Sequence, residues 1–281
     1  MALPKVKVND IQVYYEAKGE GYPLVMITGL GDNLDCWDPR LVEELSRRFK
    51  LVMFDNRGAG QTDVSDKKYS IKLFADDTAG LMDVLGISKA YILGHSMGGM
   101  IAQELALNCP EKVAKLILYS TWSQQRPTHD GSRFLSAVKQ GVSLEELSRI
   151  ILSLEVTRDF PSDLVKKDPF VVGYCTSIYA KENPDSWNDF VERSARHPIS
   201  QEAYKRQINA IEKFDSHDRL QQIKVPTLIL HGRKDFSILP ECASTLAQGI
   251  PNAKLVYLEN SNHYLVEDMQ DVIHTITEFL L

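Results

Sequence analysis

The sequence predicts an α/β architecture: a mostly parallel eight-stranded sheet flanked by helices, with a helical cap inserted late in the chain. Three observations carry this. Short apolar runs alternate with helix-like stretches over residues 1–121 and again over 223–281, joined by short loops, as in a doubly wound sheet. Over residues 122–222 that alternation stops and only helix-like segments remain, which marks an insertion. Finally, Gly94-His95-Ser96-Met97-Gly98 sits between an apolar run and a helix-forming one and fits G-x-S-x-G, a tight strand-to-helix turn that exposes a serine.

The elements follow in order. Lys5–Val8 and Ile11–Tyr15 alternate apolar and polar residues around Asn9-Asp10, the pattern of a hairpin with a two-residue turn. Leu24–Ile27 is apolar throughout, as suits a strand buried on both faces, and it runs into Thr28-Gly29-Leu30-Gly31. Pro39–Arg48 has helical periodicity, and Leu51–Phe54 is a second buried strand. The polar loop Asp55–Asp63 follows, whose Arg and Asp are expected to brace the neighbouring Gly loop. Ile71–Leu85 reads as a helix with Leu73, Phe74, Leu81, Val84 and Leu85 on its apolar face and Gly86 past its end. Tyr91–Leu93 is the strand before the serine, Met100–Leu107 lies in the helix after it, and Val113–Tyr119 is the next strand.

Within the insertion, Gly131–Gln140, Leu144–Leu154, Pro169–Ala180, Ser186–Ala195 and Gln201–Phe214 read as helices. Aromatic residues there, among them Phe134, Phe160, Tyr174 and Trp187, either pack the cap or shape an acyl pocket. The α/β rhythm resumes with a strand over Val225–Gly232, a loop carrying Asp235, and a helix from Pro240 to Gln248. A last strand, Lys254–Leu258, leads into a loop with His263 and the terminal helix.

Ser96, Asp235 and His263 each follow a strand, so an open parallel sheet gathers all three at its carboxyl edge. A serine hydroxyl is a weak nucleophile at neutral pH and needs a base within hydrogen-bond reach. His263 would take the proton and later return it to the leaving group, while Asp235 would fix the tautomer and stabilise the imidazolium. The backbone N–H of Met97, at the positive end of the following helix, is a natural oxyanion donor. That of Leu30 is a candidate second donor, the alternative being an ordinary glycine turn. His95, His231, Asp55 and Glu259 are the competing triad candidates.

Taken together, these motifs resemble the α/β-hydrolase superfamily over nearly the whole chain, carboxylesterases and 3-oxoadipate enol-lactonases in particular. Phe54-Asp55-Asn56-Arg57-Gly58-Ala59-Gly60-Gln61-Thr62 is similar to the family's D-x-R-G-x-G-x-S stretch. Gly232-Arg233-Lys234-Asp235 with Pro240 is similar to its G-x-x-D loop, and Asn262-His263-Tyr264 with Glu267 to its histidine loop. The resemblance implies the triad Ser96, Asp235 and His263, an oxyanion hole from Leu30 and Met97, and a His95 side chain pointing away from the triad. It departs in two places. Thr28 stands where the family commonly has His, so its hydroxyl is expected to pin the oxyanion loop instead. Asn262 stands where glycine often precedes the histidine, and Asn tolerates left-handed backbone.

The implied activity is hydrolysis of small to medium carboxylic esters through an acyl-enzyme. Enol-lactone, thioester and vinylogous carbon–carbon hydrolysis are same-fold alternatives, a haloperoxidase-like side reaction also occurs in this fold, and a small-ligand receptor is a rival from another class. Haloalkane dehalogenases of the fold use Asp where this chain has Ser96.

Composition bounds the rest. With 281 residues, 43% of them hydrophobic, and a net charge of -6, the chain suits one large domain and gives no basic run for nucleic acid. No apolar run reaches bilayer length and the N-terminus lacks a signal-peptide layout, so no membrane association and a cytoplasmic location are expected. Cys36, Cys109, Cys175 and Cys242 are scattered and the seven histidines form no metal-spaced cluster, so neither metal nor cofactor is expected. The expected partner is a small ester substrate, and the expected assembly a monomer or homodimer.

Overall fold

The computed structural model describes residues 5–124, 196–235 and 237–281, with Asn183, Asp185, Asp189, Phe190, Glu192 and Arg193 from the stretch between. The expected helices over 131–140, 144–154 and 169–180 and most of 186–195 lie outside the described residues, as do Phe134, Phe160, Tyr174 and Trp187.

Asn9, at φ 51°, turns the chain between β1 (Lys5–Val8) and β2 (Ile11–Lys18), with Val8 opposite Ile11. Then come β3 (Tyr22–Ile27), α1 (Pro39–Ser46), β4 (Phe49–Phe54), α2 (Ile71–Val84), β5 (Ala90–His95), α3 (Met97–Asn108) and β6 (Val113–Tyr119). Among the described residues, α4 (Gln201–Glu212), β7 (Thr227–Gly232), α5 (Glu241–Gly249), β8 (Lys254–Leu258) and α6 (Met269–Leu280) complete the chain. The eight strands form one sheet in the order β1-β2-β4-β3-β5-β6-β7-β8. β1–β2 and β2–β4 are antiparallel and every later pairing is parallel.

The apolar runs are explained by burial on both faces. In β3, Val25 and Ile27 join the hydrophobic layer that holds α2, α3 and α5, while Leu24 and Met26 join the layer that holds α1 and α6. The same alternation divides Leu116 and Leu118 from Ile117 and Tyr119 in β6. Helix starts are set by short polar side chains. Asp38 accepts from the N–H of Arg40 ahead of Pro39, Ser70 from Leu73 and Ser200 from Ala203.

The expected face of α2 needs one correction. Phe74 and Leu81 are buried, with Thr78 and Met82 completing the stripe, but Val84 is 51% exposed. A stripe through 74, 78, 81 and 82 leaves position 84 on the far side of a 3.6-residue helix.

Chain order reverses between β3 and β5: β4 lies on one side of β3, and β5, β6, β7 and β8 follow on the other. The crevice at the carboxyl ends of β3 and β5 is therefore the topological switch point, where ligands of open α/β sheets bind. Among the described residues no helix is long and apolar enough to cross a membrane.

Candidate active site

Ser96 sits at that crevice between β5 and α3. Its backbone is at φ 55° and ψ -119°, a conformation worth about 1–3 kcal/mol of strain for a residue with a Cβ. Packing holds it there. The Ser96 N–H donates to the Tyr119 carbonyl at 2.9 Å, and the Ser96 carbonyl accepts from Gly99 N–H at 2.9 Å and the Thr121 hydroxyl at 2.7 Å. The flanking glycines are there for close approach. A Cβ on Gly94 would lie 2.2 Å from the Gly98 carbonyl oxygen, and one on Gly98 would lie 2.1 Å from that of Ile27.

That contact also brings the loop after β3 to the serine, since a Cβ on Gly29 would lie 3.3 Å from Ser96 Cβ. The loop is tied on several sides. Thr28 Oγ1 donates to the Asp32 carbonyl at 3.3 Å, and Asn56 Nδ2 donates to the Thr28 carbonyl at 3.1 Å. Gly31 N–H donates to Gln207 Oε1 at 2.8 Å, and Gln207 Nε2 donates onward to the Arg57 carbonyl. Thr28 thus takes up the pinning role expected of it. The Asp55–Asp63 loop braces its neighbour through Asp55, which accepts from Leu34 N–H at 2.8 Å, and through Asn56. The Arg57 guanidinium does not take part: it is fully buried against Asp77 and Asp10. Leu30 and Met97, the two expected oxyanion donors, lie in this loop and at the first turn of α3.

On the other side of the crevice, the acid and histidine loops are laced together. Arg233 N–H donates to Leu258 O and Lys234 N–H to Ser261 O, and Gly232 packs so closely that a Cβ would lie 2.3 Å from the Ser261 and Asn262 carbonyl oxygens. Asp268 gathers the Asn260 N–H and the Ser261 hydroxyl and so shapes the histidine loop. The result is a hydrogen bond of 2.8 Å between His263 Nδ1 and Asp235 Oδ2, both residues buried. Asp235 Oδ1 accepts from the N–H groups of Ser237 and Ile238, each at 2.9 Å. Burial alone would raise the Asp235 carboxyl, but His263 and the hydrogen bond from His231 outweigh it and hold the group well below the usual carboxylate range. An ionised Asp235 only accepts, so His263 Nδ1 carries the hydrogen and Nε2 is left as the basic nitrogen.

His95 departs from the expectation that it points away from this pair. Its ring lies 4.8 Å from that of His263, centroid to centroid, and its Nε2 donates to the His263 carbonyl at 3.2 Å. Burial, reinforced by His263, pushes its pKa down to about 3, so it stays neutral. It borders a small cavity of about 20 Å³ lined also by Thr28, Asp32, Trp37 and Tyr119, room for about one water. Asn262 is not left-handed either; Leu265 takes φ 54° in this loop, and Asn262 Oδ1 accepts from the Tyr264 N–H. Of the competing acids, Asp55 lies at the Gly loop and Glu259 is an exposed partner of Arg233.

Sequence reasoning did not single out Gln207, Thr121 or Asp268. Thr121 had a signal, because it lies two residues past the end of β6, the strand beside β5. Gln207 had none: a glutamine in an amphipathic helix is unremarked until the fold sets it on Gly31. Among the described residues no group of three or more His, Cys, Asp or Glu side chains is placed to hold a metal ion.

A strained serine on a β5–α3 turn, with a His–Asp pair delivered by later strands of one mostly parallel sheet, defines a class of hydrolase. The family model for the alpha/beta hydrolase fold matches residues 22–269, and the chain belongs to that family. Among its relatives is the "Putative carbamate hydrolase RutD" of Azorhizobium caulinodans, 30% identical over 273 residues and covering 97% of this chain and 96% of its own. The protein of that name from Rhizobium rhizogenes is 27% identical, with 95% and 97% covered. Among solved structures, the enol-lactonase of Burkholderia xenovorans superposes with a TM-score of 0.80 at 25% identity, covering 99% of each chain. A thermophilic esterase from Thermogutta terrifontis shares the fold, with a TM-score of 0.76 at 24% identity, over 99% of this chain and 98% of its own.

Proposed function

We propose that this hydrolase cleaves carboxylic esters of small to medium acyl groups through an acyl-enzyme on Ser96. The observation that carries the reading is the 2.8 Å His263–Asp235 hydrogen bond, which leaves Nε2 of His263 as the free base on the side of the sheet where Ser96 is held. In this mechanism His263 Nε2 takes the Ser96 proton as Oγ attacks the ester carbonyl. The N–H groups of Met97 and Leu30 receive the oxyanion, and the alcohol leaves with the proton from His263. Water, deprotonated by the same nitrogen, then releases the acid. Asp235 stabilises the imidazolium in both halves.

The names of the RutD relatives favour a second substrate class, carbamates, whose carbonyl would pass through the same steps as a carbamoyl-enzyme. The test is hydrolysis of p-nitrophenyl esters from acetate to decanoate, and of an aryl carbamate, by wild type and by Ser96→Ala. Turnover of esters that falls on the order of 10⁶-fold in the variant is expected. Faster turnover of the carbamate than of any ester would move the assignment to the second class. No Ser96-dependent turnover of either would overturn both, and ligand binding without turnover would then favour a receptor.

A further inference from the structure

The Asp235 carboxylate faces two imidazoles, and only one of them has a part in the mechanism above. Oδ2 receives His263 Nδ1–H at 2.8 Å and lies 3.3 Å from Nε2 of His231, which is fully buried in β7. The protonation of His231 follows from its surroundings. Nε2 is 2.8 Å from the Ile238 carbonyl oxygen, and a carbonyl only accepts, so Nε2 carries a hydrogen. Nδ1 is buried with no hydrogen-bond partner among the described residues, and a hydrogen there would be a stranded donor. His231 is therefore neutral, with its one N–H shared between Ile238 O and Asp235 Oδ2. Ile238 closes the ring, because its own N–H donates to Asp235 Oδ1.

We propose that His231 is a positioning residue that sets how strongly Asp235 holds the imidazolium of His263. The proposal rests on the triad reading. A carboxylate oxygen that already accepts from His231 has less charge to offer His263, so the His263 imidazolium is held less firmly and the free base persists to lower pH. Among the described residues, the other ionisable groups around the His263 ring are His95 against its face and the Tyr264 phenol at its edge. Burial pushes His95 down to about 3, so it stays neutral and adds no charge to the readout.

The test compares His231→Leu, which keeps bulk and loses the donor, with His231→Gln, whose Nε2 reaches the place of the imidazole Nε2. The His263 titration is followed by NMR in each, in the Ser96→Ala background so that no substrate is needed. Loss of one hydrogen bond predicts an upward shift of about half to one pH unit in the Leu variant and little in the Gln variant. With Ser96 present, the acid limb of kcat/KM moves the same way, a roughly three- to tenfold loss on the acidic side, while KM stays put. A purely structural role would lower activity without moving that limb. A folded Leu variant with an unmoved His263, or equal shifts in both variants, would overturn the proposal. Should the Leu variant fail to fold, ¹⁵N NMR of wild-type His231 decides: an Nδ1–H tautomer, or a charged ring at neutral pH, overturns it, and a neutral Nε2–H tautomer supports it. A shift in His263 without any Ser96-dependent turnover would sink the esterase reading and leave this coupling standing.

Discussion

At the scale of single residues, the site is framed by buried charges with opposite pH behaviour. Asp55 is 1% exposed and accepts from Leu34 N–H at 2.8 Å and Gln61 N–H at 2.7 Å. Burial outweighs those two hydrogen bonds and raises its pKa to about 6 from 3.8. The folded protein therefore holds this proton more tightly than the unfolded chain does. The contribution of Asp55 to stability falls as pH rises from about 4 to about 6 and is level above that, a swing of about 3 kcal/mol. Asp235 runs the other way: its depressed pKa adds stability above about 4 that is lost as pH falls further. The two windows meet near pH 4 without overlapping. Urea unfolding of wild type and Asp55→Asn at pH 4.5 and 7 should show the falling component in wild type only. Equal pH dependence in the two proteins would remove Asp55 as its source.

At the scale of elements, the join between β7 and the histidine loop is the contact on which the His263–Asp235 pair depends. Gly232 is needed there for space alone, since a Cβ would meet two carbonyl oxygens at 2.3 Å. Gly232→Ala must push residues 261–262 away from the strand. It should cost about 1–3 kcal/mol of stability and, under the proposed mechanism, lower kcat more than it raises KM, because that mechanism makes the displaced His263 its general base. Thermal unfolding and steady-state kinetics check both; an unchanged kcat would show that the loop absorbs the shift. Strands and helices of the core were legible because the central apolar runs, such as Leu24–Ile27 and Leu116–Tyr119, are buried on both faces. The loops that carry Ser96, Asp235 and His263 were legible for the same reason, since a residue just after a parallel strand has one place to go. Less was legible where several residues could serve. The α2 face was read through Val84 because Leu85 and Val84 have equal apolar character and only packing chooses between them. Asn262 is a residue that tolerates left-handed backbone, yet tertiary packing places the positive φ of this loop at Leu265. The second imidazole on Asp235 depends on a side-chain orientation that spacing alone does not give.

At the scale of the molecule, stability and chemistry rest on separate buried networks. Arg57 belongs to a motif that the sequence ties to the Gly loop, yet its guanidinium forks onto Asp77 at 2.7 Å through both Nε and Nη2, and onto Asp10 at 2.9 and 3.1 Å. It joins the β1–β2 turn to α2, and its tie toward the serine among the described residues is a backbone carbonyl that accepts from Gln207. Burial works against the charge on Arg57, but the two carboxylates overcome it and raise its pKa. Arg57→Leu strands Asp77, which is nearly as buried, and should cost about 3–5 kcal/mol. Arg57→Leu with Asp77→Leu should cost less than the sum of the two single changes, because no charge is then left unpaired in the core. Denaturant midpoints give the stability terms. Where the single variant is still fully folded, its kcat/KM should stay within about twofold of wild type, since stability effects at sites without shared partners leave the reacting groups in place. A loss of activity that precedes unfolding would mean that the hairpin–α2 clamp also holds the oxyanion loop, and Arg57 would then belong to the site after all.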